Sequence, residues 1–222
     1  FSVPDLVYSV DISNDGRLVA AGSRGENDET LSVFDITRGV KLWSAGAGTY
    51  VWDVAFSPDQ KWLVSGSDSG LQTWDVRGGR APMVLAQPKN TLPEVKHLSI
   101  SPRGNFLAVS RGHKIELWDF VRRKMLRFVP STGGGALTFS PDEKWLAVAG
   151  YHNRLKIHDV QSGLQLGEIH AQIGILMAAD FSSDGRTLVA CSEGATKIFS
   201  LEKNGEEVIL SQLAAIRSGL GA

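Results

Sequence analysis

Hydrophobic residues come along this chain in short bursts. Val51-Trp52-Asp53-Val54-Ala55-Phe56 ends in a Ser-Pro-Asp triplet at Ser57, and Trp62-Leu63-Val64 follows it. Ala136-Leu137-Thr138-Phe139 and Trp145-Leu146-Ala147-Val148 flank Ser140 in the same way. Phe106-Leu107-Ala108-Val109 follows Ser101, and Leu188-Val189-Ala190 follows Ser182. Runs this short, rich in Val, Phe and Trp and bounded by turn residues, predict strands rather than helices. Most are continuous rather than alternating, which predicts strands covered on both faces.

The turns recur. They begin at Ser13 (Ser-Asn-Asp-Gly), Ser57 (Ser-Pro-Asp), Ser101 (Ser-Pro-Arg-Gly), Ser140 (Ser-Pro-Asp) and Ser182 (Ser-Ser-Asp-Gly), with successive spacings of 44, 44, 39 and 42 residues. Ser at the first position, Pro at the second and Gly at the fourth suit a type I turn. A second landmark keeps step: Phe34-Asp35, Trp74-Asp75, Trp118-Asp119, His158-Asp159 and Phe199-Ser200. Its second residue lies 22, 18, 18, 19 and 18 positions after the serine, the first interval being lengthened by polar residues at 24–29. A further turn and a fourth short run, such as Val40-Lys41-Leu42-Trp43, close each unit. Four strands in about 40 residues match a propeller blade. The predicted fold is therefore all-β: a single β-propeller domain of five four-stranded antiparallel blades, at roughly 5–45, 49–88, 93–130, 134–170 and 174–213.

On these residues, above all the Ser-Pro-Asp turns and the Trp-Asp pairs at 74–75 and 118–119, the chain resembles the WD-repeat β-propellers over nearly its whole length. Propellers with looser motifs stay open, because no copy carries the family's Gly-His before the first strand. The resemblance implies that the family's buried His–Ser–Asp–Trp network is incomplete in every blade, with Ser65 and Trp74 as two surviving members in the second. It also implies a ring of seven blades, so that these five are expected to be a fragment of a larger propeller.

Composition narrows the function. Lys and Arg total 23 against 24 Asp and Glu, a net charge of −1, which gives no support to nucleic-acid binding. No run approaches the ~18 apolar residues of a membrane span. The one cysteine, Cys191, excludes an internal disulfide and is expected to be a small buried hydrophobe. A cytoplasmic location is expected.

Candidate chemistry is sparse. Gly66-Ser67-Asp68-Ser69-Gly70 centres on Asp where a nucleophile elbow needs Ser, and it joins two strands rather than a strand and a helix. The histidines at 97, 113, 152, 158 and 170 form no metal-binding spacing. His158 stands where other copies carry Trp, which predicts packing. Asp35, Asp75, Asp119 and Asp159 are expected to cap turns. Arg122-Arg123-Lys124 is expected at a solvated hairpin tip. No catalytic residue, metal or cofactor is predicted.

Aligning the copies on the serine isolates one variable position, just before the innermost strand: Tyr8, Trp52, Lys96, Gly135 and Met177. Its neighbours Val10, Val54, Leu98, Leu137 and Ala179 stay apolar and are expected in the core. Aromatic, cationic and Met side chains at a channel mouth suit partner binding. Tyr8, Tyr50, Trp52, Lys96 and Met177 are the expected contacts, and other proteins or peptides, not small molecules, are the expected partners. The leading function is a non-catalytic protein–protein interaction scaffold. The alternatives are a hydrolase- or lactonase-type propeller and a regulatory propeller attached to a catalytic domain outside this chain.

Overall fold

Twenty strands form where the bursts stand. A computed structural model describes residues 6–25, 29–79, 83–86, 94–130, 135–150, 153–171, 176–192 and 194–217. The strands are β1 (Val7–Ile12), β2 (Leu18–Ser23), β3 (Leu31–Asp35), β4 (Val40–Ala45), β5 (Val51–Phe56), β6 (Trp62–Ser67), β7 (Gly70–Asp75), β8 (Met83–Ala86), β9 (Val95–Ile100) and β10 (Phe106–Arg111). They continue as β11 (Lys114–Asp119), β12 (Lys124–Val129), β13 (Ala136–Phe139), β14 (Trp145–Ala149), β15 (Arg154–Asp159), β16 (Gln165–His170), β17 (Ala178–Phe181), β18 (Thr187–Cys191), β19 (Ala195–Asn204) and β20 (Glu207–Arg217). Each successive four make one antiparallel sheet in chain order, giving five sheets. The chain divides into two compact units, residues 1–100 and 101–222.

The serine turns close as their chemistry demands. In the first, Gly16 N donates to Ser13 O (2.8 Å), Ser13 Oγ to Asp15 Oδ1 (2.6 Å), and Leu18 N to Ser13 Oγ (2.9 Å). Ser57, Ser140 and Ser182 repeat this pattern with Asp59, Asp142 and Asp184. The fourth turn position is left-handed throughout. Gly16, Gly104 and Gly185 take it freely, whereas Gln60 (φ 58°) and Glu143 (φ 63°) take it against the cost of a Cβ.

Glu143 has a reason to be there. The Ser101 turn carries Arg103 where the others carry Asp, so it lacks its own acceptor. Glu143 supplies one from the neighbouring turn: Arg103 N donates to its Oε1 (2.6 Å) and Asn105 Nδ2 to its Oε2 (2.7 Å). The second landmark behaves as expected: Asp35, Asp75, Asp119 and Asp159 accept backbone N–H groups two or three residues on. The fifth copy has Ser200 instead of Asp. Without that cap β19 runs on to Asn204, the turn falls at Gly205, and β20 extends past the expected boundary to Arg217.

Sheets stack by two recurring devices. In the first unit, β1 packs beside β5 and β5 beside β9. A glycine in the second strand admits the next sheet's first strand: a Cβ on Gly22 would stand 2.7 Å from Val51 Cγ1, and Gly66 faces Val95 and Leu98 likewise. The second device seats a fourth-strand side chain on a turn glycine of the next sheet. Trp43 lies against Gly79, whose Cβ would come within 2.7 Å of the indole, and Trp43 Nε1 donates to Val76 O (2.9 Å). In the second unit Arg127 covers Gly163 in the same way and bonds Ser162 O. Burial between sheets is the main stabilising term, about 1.5–3 kcal/mol for each large apolar side chain. It joins Leu31, Val33, Val54, Phe56, Leu63 and Trp74 into one cluster of the first unit.

Some expectations need correction. Val10 was expected in the core with Val54, Leu98 and Leu137, but it is 63% exposed while those three are buried. Within the first unit no sheet packs on the outer face of the first sheet at that point. Cys191 is half-buried rather than buried, because it ends β18. His158 is fully enclosed, and burial pushes its imidazole down to about 4. Ser65 and Trp74 do form the surviving pair, Nε1 to Oγ at 2.9 Å. In the third sheet Trp118 Nε1 turns instead to Glu116 (3.1 Å), which is paired with buried Arg111 (3.3 Å).

Candidate interaction site

Tyr8 and Trp52 lie in second place on their strands rather than before them, and both sit at β-bulges. Pairing of β1 with β2 shifts between Val7 and Ser9, and pairing of β5 with β6 shifts between Val51 and Asp53. A bulge leaves its extra residue out of the ladder and re-aims its side chain. Two bulges at equivalent places therefore turn Tyr8 and Trp52 toward each other, with ring centroids 4.8 Å apart and planes inclined by 48°.

Tyr50 completes the group, stacked on Trp52 at 5.3 Å and 8°. Its backbone is fixed by an isolated bridge to Arg24 and by donation to Asp68 Oδ1 (3.2 Å). Lys96 on β9 holds Nζ 5.3 Å from the centre of the Trp52 ring, and Arg24 lies 5.5 Å from that of Tyr50. The cluster thus has three aromatic rings flanked by two cations. Ring pairs of this kind contribute about 0.5–1.5 kcal/mol beyond area burial, and exposed cation–π contacts about 0.5–1 kcal/mol. The Trp52 indole N–H is buried without an acceptor, so the ring serves this cluster through its faces.

Four of the five expected contacts therefore meet. Met177 lies in the second unit, 55% exposed, its N–H donated to Cys191 O (2.9 Å). Gly135, aligned at the same position, varies for a reason other than surface freedom. It is buried, and a Cβ there would overlap the Ala149 carbonyl. The alignment of serines could not reveal this.

Beneath the rings, polar side chains sew the first strands together, a role the sequence reading missed. Phe56 N donates to Asp11 Oδ2 (2.7 Å). Asp53 accepts Ser9 Oγ (2.8 Å), Val54 N (2.9 Å) and Leu98 N (2.9 Å). Burial pushes the Asp53 carboxyl up to about 6, against the opposing pull of these donors. Asp11 is raised for the same reason. In the second unit Thr138 Oγ1 donates to Asp180 Oδ1 (3.1 Å). A signal was available: carboxylates at these positions interrupt otherwise apolar bursts.

The other motifs take ordinary roles. Ser67 Oγ accepts Ser69 N and reaches Gly70 O within the β6–β7 turn. Arg122 pairs with Asp119 at the β11–β12 tip. His152 lies outside the described residues. Among the described residues no three His, Cys, Asp or Glu side chains are placed to hold a metal ion.

Comparison with known proteins finds WD repeats at three segments of this chain. The family model described as WD domain, G-beta repeat matches residues 2–35, 39–75 and 135–159. The chain carries WD repeats. Protein Groucho of Drosophila melanogaster is 28% identical over 216 residues, covering 92% of this chain and 27% of Groucho. The small ribosomal subunit protein RACK1 of Medicago sativa is 33% identical over 70 residues, 32% of this chain and 21% of that protein. Autophagy-related protein 18 of Meyerozyma guilliermondii is 40% identical over 65 residues, 28% of this chain and 11% of that protein. The WD-repeat chain thus spans about a quarter of the length of Groucho and smaller shares of the other two. The matched segment 39–75 runs from β4 to β7 and so straddles two sheets, whereas 2–35 and 135–159 each fall on the first three strands of one sheet.

Proposed function

We propose that this WD-repeat chain is a non-catalytic protein–protein interaction scaffold that binds proteins or peptides through the Tyr8, Tyr50, Trp52 and Lys96 cluster of the first unit. The observation that carries the reading is the pair of equivalent bulges that turn aromatic side chains out of the sheet ladder and into one cationic–aromatic group. Aromatic residues of this kind dominate interface energetics. The balanced charge and the absence, among the described residues, of a helix long and apolar enough to cross a membrane go with a protein partner rather than nucleic acid or a bilayer. A cytoplasmic location accompanies this reading.

The enzymatic alternatives have less support. Asp53, the carboxyl most shifted from its ordinary value at the first strands, has its oxygens committed to backbone and serine donors. The five sheets are read as blades of one propeller domain.

The Trp52→Ala/Lys96→Ala variant should lose the partner captured by the wild-type chain in a pull-down, with the melting temperature within a few degrees of wild type. Unchanged capture rules the cluster out as the binding site.

A further inference from the structure

At the other end of the first strands, by the serine turns, the first and second sheets enclose a groove of about 540 Å³ within the first unit. Its floor is apolar, formed by Leu18, Leu42 and Val76, and its rim carries Arg17, Arg38, Lys61 and Arg77. Three carboxylates also line it, but each is occupied. Asp15 holds Ser13 Oγ and Arg17 N, Asp35 holds Thr37 and Arg38 N, and Asp59 holds Ser57 Oγ and Lys61 N.

The cations are not all engaged. Arg17 pairs with Asp35 (3.3 Å) and Lys61 with Asp59 (3.5 Å). Arg38 and Arg77 are exposed and make no ion pair among the described residues. Arg38 stands three residues after Asp35 and Arg77 two after Asp75, both in the turns between the third and fourth strands. The counterpart of Arg38 in the third sheet, Arg122, is closed onto Asp119 at 2.7 Å. The groove between the serine turns of the fourth and fifth sheets, within the second unit, has the same construction over Trp145 and Leu201. It measures about 370 Å³ and sets two arginines, Arg103 and Arg186, against two aspartates, Asp142 and Asp184. Of these two grooves the first has the excess of positive charge, four cations against three carboxylates, where the second has two against two.

We propose that this groove binds an acidic peptide segment bearing apolar side chains, with its carboxylates at Arg38 and Arg77 and an apolar group over Leu42 and Val76. An apolar floor beneath paired arginines fits such a segment in shape and charge. Isolated phosphate is a poorer match. The turn N–H groups that could cradle it, those of Arg17, Thr37, Arg38 and Lys61, are already donated to aspartates. The site is separate from the Trp52 cluster and does not depend on it.

The test is fluorescence anisotropy of the full chain with a labelled peptide of about eight alternating Glu and Leu residues, run against its Lys/Leu counterpart and against competing inorganic phosphate. The acidic peptide should bind saturably and more weakly at high salt. Arg38→Glu/Arg77→Glu should weaken it at least about tenfold, and Arg38→Gln/Arg77→Gln less. Both variants should melt like wild type, since the side chains are exposed. Arg122→Glu and Trp52→Ala should leave binding within about twofold. Trp52→Ala also separates this site from the scaffold reading, which requires that residue. The absence of saturable binding, equal binding of the Lys/Leu peptide, equal competition by phosphate, or binding indifferent to both double substitutions overturns the proposal.

Discussion

The first and second sheets are built from the same repeat, yet corresponding residues live in different surroundings. Val54 is 3% exposed and Val10 63%; Phe56 is 7% exposed and Ile12 57%. A Cβ on Gly79 would strike Trp43, whereas one on Gly39 would meet nothing within 4 Å. The residues and backbone are alike, so the difference comes from the neighbour. The second sheet has Gly22 and Trp43 of the first packed on that face, and within the first unit no sheet packs on the first in that way. In a repeat protein the interface between units supplies much of the stability, and a residue's burial is a property of the pair of sheets rather than of the repeat.

The largest expected effect tests how far position dictates environment. The place held by Phe34 and Trp74 is held in the fourth sheet by His158, equally enclosed. With its folded imidazole at about 4 against an ordinary 6.5, the unfolded chain takes up a proton as pH falls through 6.5 while the folded chain does not until about 4. Stability is therefore lost on acidification across that window, by at most about 3 kcal/mol. Asp53 has the opposite sign: its raised carboxyl makes stability fall as pH rises toward 6. The difference between wild type and His158→Phe isolates the histidine. Denaturant unfolding of the two at pH 7.5 and pH 5 should show the variant gaining on wild type at the lower pH. Parallel behaviour would show that the position does not force His158 to stay neutral.

A smaller effect bears directly on the two sheets. Val54→Ala should cost about 2 kcal/mol and Val10→Ala less than about 0.5 kcal/mol in chemical denaturation. Equal losses would mean that the outer face of the first sheet is covered in solution, by a further blade or by a second copy. The smallest effect concerns the left-handed turn positions. Gln60→Gly should stabilise by about 1 kcal/mol by relieving its strained φ. Glu143→Gly should instead destabilise by about 1–2 kcal/mol, because it strips the Ser101 turn of its acceptor. Thermal melts of both would show whether the two turns differ as their contacts say.

Much of the fold was legible because its signals are local. The bursts, the serine turns and the capping aspartates each act within a few residues, and they led to the strands almost to the residue. What escaped was set between sheets. Gly22 and Gly66 look like ordinary strand glycines until the valines of the next sheet are placed against them. Glu143 reads as a turn residue of its own repeat, while its oxygens serve the turn before it. Of the candidate site, the serine alignment brought out Tyr8, Trp52 and Lys96 because these positions vary where their neighbours do not. The bulges that aim them leave no mark in composition, and Gly135 shows that variation alone does not distinguish a surface position from a crowded one.

The offset of the matched segment 39–75 from the sheets has a consequence for how such a chain can grow or be cut. Duplicating a segment such as 39–75 adds the outer strand of one sheet and the inner three of the next, so every new copy is spliced into its predecessor by backbone pairing. A boundary drawn at the repeat leaves two incomplete sheets, whereas a boundary between β4 and β5 leaves both whole. For a segment cut as 39–75 is, the unit that is copied is out of phase with the unit that folds.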